Sequence, residues 1–90
     1  MGRVNVTFEL YGTARLRAGL DTVEVRASRL GEALEILEER CPALEGDVLC
    51  HGRLQEHFRL SRNGRLFVSD PQQLLAEGDM LLILSAAAGG

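Results

Sequence analysis

Apolar and polar residues alternate along the first part of the chain, which predicts two β-strands. In residues 4–11 every second position is apolar, the pattern of a strand with one buried face. These positions are Val4, Val6, Phe8 and Leu10. Residues 21–27 repeat the alternation after the segment GTARLRAG, which is interpreted as a turn or loop. The two strands are therefore predicted to form a hairpin.

The pattern then changes to that of an amphipathic helix. Apolar residues recur at helical spacing from residue 30 onward, and Pro42 ends the run. The stripe consists of Leu30, Ala33, Leu34, Leu37 and Cys41. Ser28 is placed to cap the N-terminus of this helix. The glutamates on the other face are interpreted as a solvated surface.

Short strands and turns are predicted for the third quarter of the chain. Residues 48–50 suggest a brief strand inside a loop. Phe58 and Leu60 lie on one side of a further strand, which leads into the tight-turn dipeptide Asn63-Gly64 and a return strand at residues 66–68. This quarter therefore supplies another hairpin.

The last predicted strand is the most apolar one. A turn with a single helical turn is predicted at residues 72–75, and a tight turn at Gly78-Asp79. Residues 80–84 are then continuously apolar, which is typical of a central strand that is covered on both faces.

The element order predicts an α+β fold of the β-grasp, or ubiquitin-like, type. A mixed sheet would carry one main helix across one face, and a split βαβ sandwich is the alternative. The predicted domain is residues 1–84, and residues 85–90 form a predicted flexible C-terminal tail that ends in Gly-Gly.

Composition narrows the classes of function. The net charge of −3 argues against nucleic-acid partners, and no apolar run is long enough for a membrane span, so a cytoplasmic protein is expected. No metal site is predicted, because Cys50, His51 and His57 lack the spacing of a ligand set. Cys41 lies on the apolar stripe and is interpreted as a core residue. Lysine is absent from the chain.

The final segment SAAAGG carries the most specific chemistry. A terminal glycine pair is the slimmest substrate that a peptide can offer to a narrow cleft, because it has no Cβ atoms. Its carboxylate is a poor electrophile, but adenylation would supply a leaving group, and sulfide or a cysteine persulfide could then attack the carbonyl. The chain would thus act as a carrier through its own terminus.

The segments LYGTARLRAG, RLGEALEILEERCP and LLAEGDMLLIL, together with the Gly-Gly end, resemble the MoaD/ThiS sulfur-carrier family along nearly the whole chain. Within it, the chain is most like the small subunit of molybdopterin synthase. The resemblance implies a thiocarboxylate at Gly90, with Gly89, Ala88, Ala87 and Ala86 threading into a partner's active site. The protein would bind no cofactor and would be a co-substrate rather than a complete enzyme.

The same resemblance implies the partners. These are a ubiquitin-activating-type adenylyltransferase that uses ATP, a large molybdopterin synthase subunit or a thiazole synthase, and a sulfur donor of the cysteine desulfurase or rhodanese type. Alternative hypotheses are a thiamine-type or other biosynthetic sulfur carrier, a ubiquitin-like protein modifier and a β-grasp interaction module.

Six residues are candidates for contact with these partners. Arg15 and Arg17 could pair with acidic residues of an activating enzyme, or could simply keep a loop soluble. The apolar candidates are Leu16, Phe58, Leu60 and Phe67, for which burial in the core is the alternative.

Overall fold

The computed structural model describes residues 2–86. Seven strands are present in this part of the chain: β1 Val4–Leu10, β2 Thr22–Ala27, β3 Leu49–Cys50, β4 Arg53–Leu54, β5 Phe58–Arg62, β6 Leu66–Phe67 and β7 Met80–Ser85. The helices are α1 Gly12–Ala18 and α2 Leu30–Arg40, and a single 3-10 turn spans Pro42–Leu44.

Five of the strands form one mixed sheet in the order β2-β1-β7-β5-β6, while β3 and β4 form a separate two-stranded ribbon. β1 is antiparallel to β2 and parallel to β7, and β5 is antiparallel to both β7 and β6. This is the predicted β-grasp architecture, with the last strand at the centre of the sheet.

The core lies between helix α2 and one face of the sheet. The four apolar residues of the predicted stripe that fall within α2 are all buried: Leu30, Ala33, Leu34 and Leu37. From the sheet, the alternating residues Val6, Phe8, Leu81 and Ile83 meet this layer. Cys41 is also buried, and burial raises the pKa of its thiol, which suits the predicted role of a small core residue.

The prediction of a turn or loop between β1 and β2 is wrong, because Gly12–Ala18 forms helix α1. Ala14 is fully buried and anchors this helix to the domain. Gly19 ends it in a left-handed conformation (φ 72°), which glycine adopts at little cost. A helix of seven residues is too short to show an extended apolar stripe in the sequence.

Two further local predictions are corrected. Arg29, not Ser28, is at the N-cap of α2; the Ser28 hydroxyl donates to the carbonyl of Gly2, and its amide donates to Glu32 Oε1 at 2.8 Å. Residues 72–75 form no helical turn. Instead, Leu74 forms an isolated antiparallel bridge with Arg29, which ties this segment to the start of α2.

The predicted turn at Asn63-Gly64 is confirmed. Both residues have positive φ, 56° and 70°, and the N–H of Arg65 donates to the carbonyl of Arg62 across them, which closes a tight turn. Gly78 also has a positive φ, 85°, in the turn that leads into β7. These two turns lie side by side at one end of the sheet, because Asn63 donates its backbone N–H to the carbonyl of Met80.

Candidate functional site

The candidate site begins where the central strand leads into the predicted tail. Strand β7 extends through Ser85, which lies opposite Phe58 of β5, so it includes one residue that was assigned to the tail. The N–H of Ala86 then donates to the carbonyl of His57 at 2.7 Å. The remaining tail residues Ala87, Ala88, Gly89 and Gly90 lie outside the described residues. The base of the tail is thus fixed to the centre of the sheet.

A hydrogen-bonded carboxylate fixes the other end of β7. Asp79 is only 5% exposed and accepts hydrogen bonds from the Ala76 amide at 2.8 Å and from Asn63 Nδ2 at 3.1 Å. It also forms a 2.8 Å salt bridge with Arg62. Asn63 in turn accepts a hydrogen bond from the N–H of Met80. We call the group Arg62, Asn63 and Asp79 the turn lock, because it joins the two adjacent turns at the start of the strand.

The turn lock favours the ionised form of Asp79. Burial alone would raise the pKa of this carboxyl group. The hydrogen bonds from Ala76, Asn63 and Arg62, together with the guanidinium charge, outweigh burial and lower the pKa. The lowered pKa means that ionised Asp79 stabilises the folded state.

The prediction that β7 is covered on both faces is wrong. Leu81 and Ile83 are fully buried toward α2, but Met80, Leu82 and Leu84 point to the other face of the sheet and are only half-buried. Because side chains of a strand alternate between faces, this strand presents a second apolar row away from the core. Helix α2 packs against the first face only.

On this outer face, the apolar row of β7 has polar neighbours on the adjacent strands. Leu82 lies opposite Glu9 on one side and Ser61 on the other, and Ser61 lies opposite Phe67 at the edge. Arg59 lies opposite Leu84, close to the base of the tail. We call the surface formed by Met80, Leu82, Leu84 and Phe67 the outer-face patch. Exposed apolar side chains that lie together on a sheet are typical of a protein contact surface.

The structure separates the apolar candidates for partner binding. Leu16 and Phe67 are 79% and 70% exposed, so both are accessible. Phe58 and Leu60 are buried beside α2, because β5 directs these alternate residues toward the core, and they cannot form an exposed patch in this fold.

Arg15 and Arg17 lie on helix α1 rather than in a loop. Arg15 Nε is 3.8 Å from Asp21 Oδ1, and Arg17 pairs with Asp47. Both guanidinium groups are exposed and therefore remain accessible to a partner, although each already has an acidic neighbour within the chain.

Within residues 2–86, no cluster of three or more His, Cys, Asp or Glu side chains has the geometry to hold a metal ion. No helix in this part of the chain is long and apolar enough to cross a membrane.

Comparison with known proteins identifies structural neighbours over nearly the full chain. SAMP1 from Haloferax volcanii is 30% identical, with a TM-score of 0.81 over 96% of this chain and 99% of that one. A putative molybdopterin converting factor subunit 1 from Pyrococcus furiosus has 23% identity and a TM-score of 0.73, covering 91% and 97% of the two chains. The Amycolatopsis orientalis BexX/CysO complex contains a chain with 24% identity and a TM-score of 0.76, covering 94% and 99%.

No family model and no curated protein matches the chain. The two neighbours below 25% identity show the fold alone, whereas SAMP1 also shows the family. The likeness to SAMP1 supports a ubiquitin-like carrier or modifier. The chain belongs to the family of MoaD/ThiS-like β-grasp proteins that includes the small archaeal modifier proteins.

Two parts of the site were not predicted from the sequence. The turn lock joins residues 62–63 to residue 79, and only the Gly-Asp turn gave a local signal for it. The outer-face patch was missed because a continuous apolar run gives no alternation, so it cannot show whether one or both faces are buried.

Proposed function

We propose that this protein is a sulfur carrier whose C-terminal Gly90 carboxylate is adenylated and converted to a thiocarboxylate, which then donates sulfur in cofactor biosynthesis. The observation that carries this proposal is the course of β7. The strand runs through the centre of the sheet, is hydrogen-bonded as far as Ala86, and leads directly into the sequence Ala-Ala-Gly-Gly beside an exposed apolar patch. The base of the tail thus lies beside the proposed docking surface.

The chemistry follows from the properties of a carboxylate. The Gly90 oxygen attacks the α-phosphate of ATP in the activating enzyme, and pyrophosphate leaves. The resulting acyl adenylate has AMP as a leaving group, so sulfide can attack the carbonyl and give the thiocarboxylate directly. A cysteine persulfide would instead form an acyl disulfide, which a second thiol reduces to the thiocarboxylate.

The chain itself contributes accessibility and docking rather than acid, base or metal chemistry. Small residues at positions 86–90 allow the tail to enter a narrow active site, since no large side chain must pass. We propose that the outer-face patch docks the adenylyltransferase and then a synthase-type subunit, with Arg59 available to an acidic residue of either partner. The solved complex of CysO with BexX supports a partner of the synthase type.

Molybdopterin synthesis is the proposed destination of the sulfur. The likeness to a molybdopterin converting factor subunit supports this assignment through the fold. Thiamine-type sulfur transfer requires the same terminal chemistry and differs only in the acceptor enzyme. We place the reaction in the cytoplasm, where adenylyltransferase and ATP are both accessible.

A ubiquitin-like modifier is the second candidate, and the 30% identity to SAMP1, a small archaeal modifier protein, favours it. An acyl adenylate can transfer its acyl group to a thiol and then to a lysine of another protein, so one terminus can serve both functions. Because the chain has no lysine, it could attach to other proteins but could not form lysine-linked chains of itself.

Intact-mass measurement separates these functions. The purified protein is incubated with ATP, a cognate activating enzyme and a sulfur donor. Replacement of one oxygen by sulfur at the C-terminus supports the carrier function, and isopeptide adducts on lysines of added proteins support the modifier function. If an enzyme that activates a control carrier leaves this chain unchanged, both proposals are wrong.

Replacing Leu82 by Asp is expected to impair activation without unfolding the domain. Leu82 is at the centre of the outer-face patch, and a charge there would have to be desolvated on docking. The expected fall in kcat/KM for adenylation is about 30-fold, the effect of losing a central interface residue worth ~2 kcal/mol. Pyrophosphate release measures the rate.

Leu74→Asp is the matched control, because Leu74 is also an exposed leucine but lies beside α2 rather than on the outer face. It should be activated at close to the wild-type rate. If kcat/KM for adenylation falls equally in the two variants, and their thermal stabilities are equal, the outer-face patch is not the docking surface.

A further inference from the structure

A groove on the helix side of the sheet meets the outer-face patch at its edge, where Phe67 lines both surfaces. It encloses about 610 Å³ between α2 and ribbon β3–β4 on one side and the chain that follows β6 on the other. Leu34, Phe58 and Leu60 contribute to its floor, and the half-buried side chains of Leu54 and Val68 line its walls. A groove of this size and composition is typical of a site for an apolar ligand or side chain.

The groove runs along a strand edge that is only partly paired. Strand β6 has two residues and pairs only with Ser61 and Arg62 at the end of β5. The N–H of Val68 makes one further hydrogen bond, to the carbonyl of Leu60. After Val68 the chain turns away through Pro71, so the first part of β5 has no neighbouring strand on this side. An incompletely covered sheet edge beside an apolar groove suits an extended segment.

The charge around the groove differs from that of the molecule. The chain has a net charge of −3, whereas the groove is lined by two arginines, Arg53 and Arg59, and one acid, Glu56. Neither arginine forms a salt bridge with an acidic side chain among the described residues. The Arg59 guanidinium donates to the carbonyls of Glu56 and Phe58, and within residues 2–86 no carboxylate pairs with its charge. A ligand with carboxylates would complement the positive charges of Arg53 and Arg59.

We infer that this groove binds an extended segment of a partner protein in which apolar residues are followed by acidic ones. The apolar side chains enter between Leu54 and Val68, and the carboxylates lie against Arg53 and Arg59. The floor of the groove and the outer-face patch are on opposite faces of the sheet, and Phe67 and Arg59 lie where the two surfaces meet. The inference does not depend on the sulfur chemistry.

A synthetic probe tests this site. The probe is the peptide acetyl-Val-Val-Ile-Val-Asp-Asp-Glu-amide, and its control replaces the three acids by Asn, Asn and Gln. Each is titrated into ¹⁵N-labelled full-length protein, and amide chemical shifts are followed. We expect saturable shifts at Leu54, Leu60 and Val68, and binding of the amide peptide about fivefold weaker, since an exposed ion pair contributes up to ~1 kcal/mol.

Arg53→Glu and Arg65→Glu form a matched pair of variants. Both residues are exposed arginines, but Arg65 lies in the turn before β6 and does not line the groove. We expect Arg53→Glu to weaken binding of the acidic peptide at least fivefold, and Arg65→Glu to leave it nearly unchanged. The amide spectrum of each free variant shows that it is folded.

Four outcomes would overturn the inference. They are the absence of shifts at millimolar peptide, shifts confined to the outer face, equal binding of the acidic and amide peptides, and groove shifts that follow protein concentration without peptide. The last would mean that a second copy of the chain fills the groove. None of these results affects thiocarboxylate formation, so failure here is distinguishable from failure of the proposed function.

Discussion

Deletion of Gly90 is expected to abolish thiocarboxylate formation and to leave the melting temperature of the domain unchanged within about 1 °C. The reaction requires the terminal carboxylate to reach the α-phosphate, and a chain one residue shorter falls short by roughly 3.5 Å. Misplacement of a reacting group by even 1 Å can cost about 100-fold in rate. Stability is unaffected because the last hydrogen bond of the described chain is at Ala86, four positions earlier.

The measurements are intact mass after ATP-dependent sulfur transfer and thermal unfolding by circular dichroism. Ala88→Gly is the control, because it changes the tail sequence but retains its length and its small side chains. It should be converted at nearly the wild-type rate. If the shortened chain still acquires sulfur, the reaction does not occur at the Gly90 carboxylate. If the shortened chain melts at a lower temperature, the tail contributes to the stability of the domain.

The parts of the fold that the sequence predicts are those with strong periodicity. Strand β1 alternates over seven residues, and the stripe of α2 covers three turns, so hydrophobic burial determines both elements locally. The dipeptide Asn63-Gly64 identifies its turn because few other residues adopt two successive positive φ angles. Given these elements, the central position of β7 follows from its apolar composition.

Helix α1 was not predicted because tertiary packing determines it. Only one of its residues, Ala14, is buried, so its sequence shows no apolar stripe that distinguishes it from a loop. Ala18 is half-buried against the core, and most of the other side chains are exposed; Arg17 pairs with Asp47. Such contacts join positions thirty residues apart and leave no local pattern.

The candidate site also has one part that the sequence identifies and other parts that only the fold determines. The Gly-Gly end can be identified in the sequence because its chemistry depends on residue type alone. The outer-face patch depends on which side of β7 is covered, and the separation of Phe67 from Phe58 depends on their directions in the fold. These properties are set by the register of β5 against its neighbours, which no single segment encodes.

Replacing Asp79 by Ala is expected to lower the free energy of unfolding by roughly 2–3 kcal/mol at pH 7. The variant removes the acceptor for Ala76 and Asn63 and leaves the partly buried Arg62 guanidinium without its counter-charge. For a domain of this size the melting temperature should fall by roughly 10–20 °C. Asp47→Ala is the control; it removes an exposed partner of Arg17 and should cost less than about 1 kcal/mol.

The stability difference between wild type and Asp79→Ala should also depend on pH. The folded-state pKa of Asp79 lies below its unfolded value, so its contribution is complete above the unfolded pKa, about 3.9, and is lost as the pH falls through the folded pKa. Glu32 and Glu77 also have lowered pKa values, but they are present in both proteins and cancel in the difference. Urea unfolding of both proteins at pH 7 and at pH 2.5 measures this difference in the free energy of unfolding. A difference that is equal at both pH values would show that the ionised carboxylate does not stabilise the turn lock. Strand β7 would then be held at the sheet centre by its backbone pairing with β1 and β5 and by its apolar contacts.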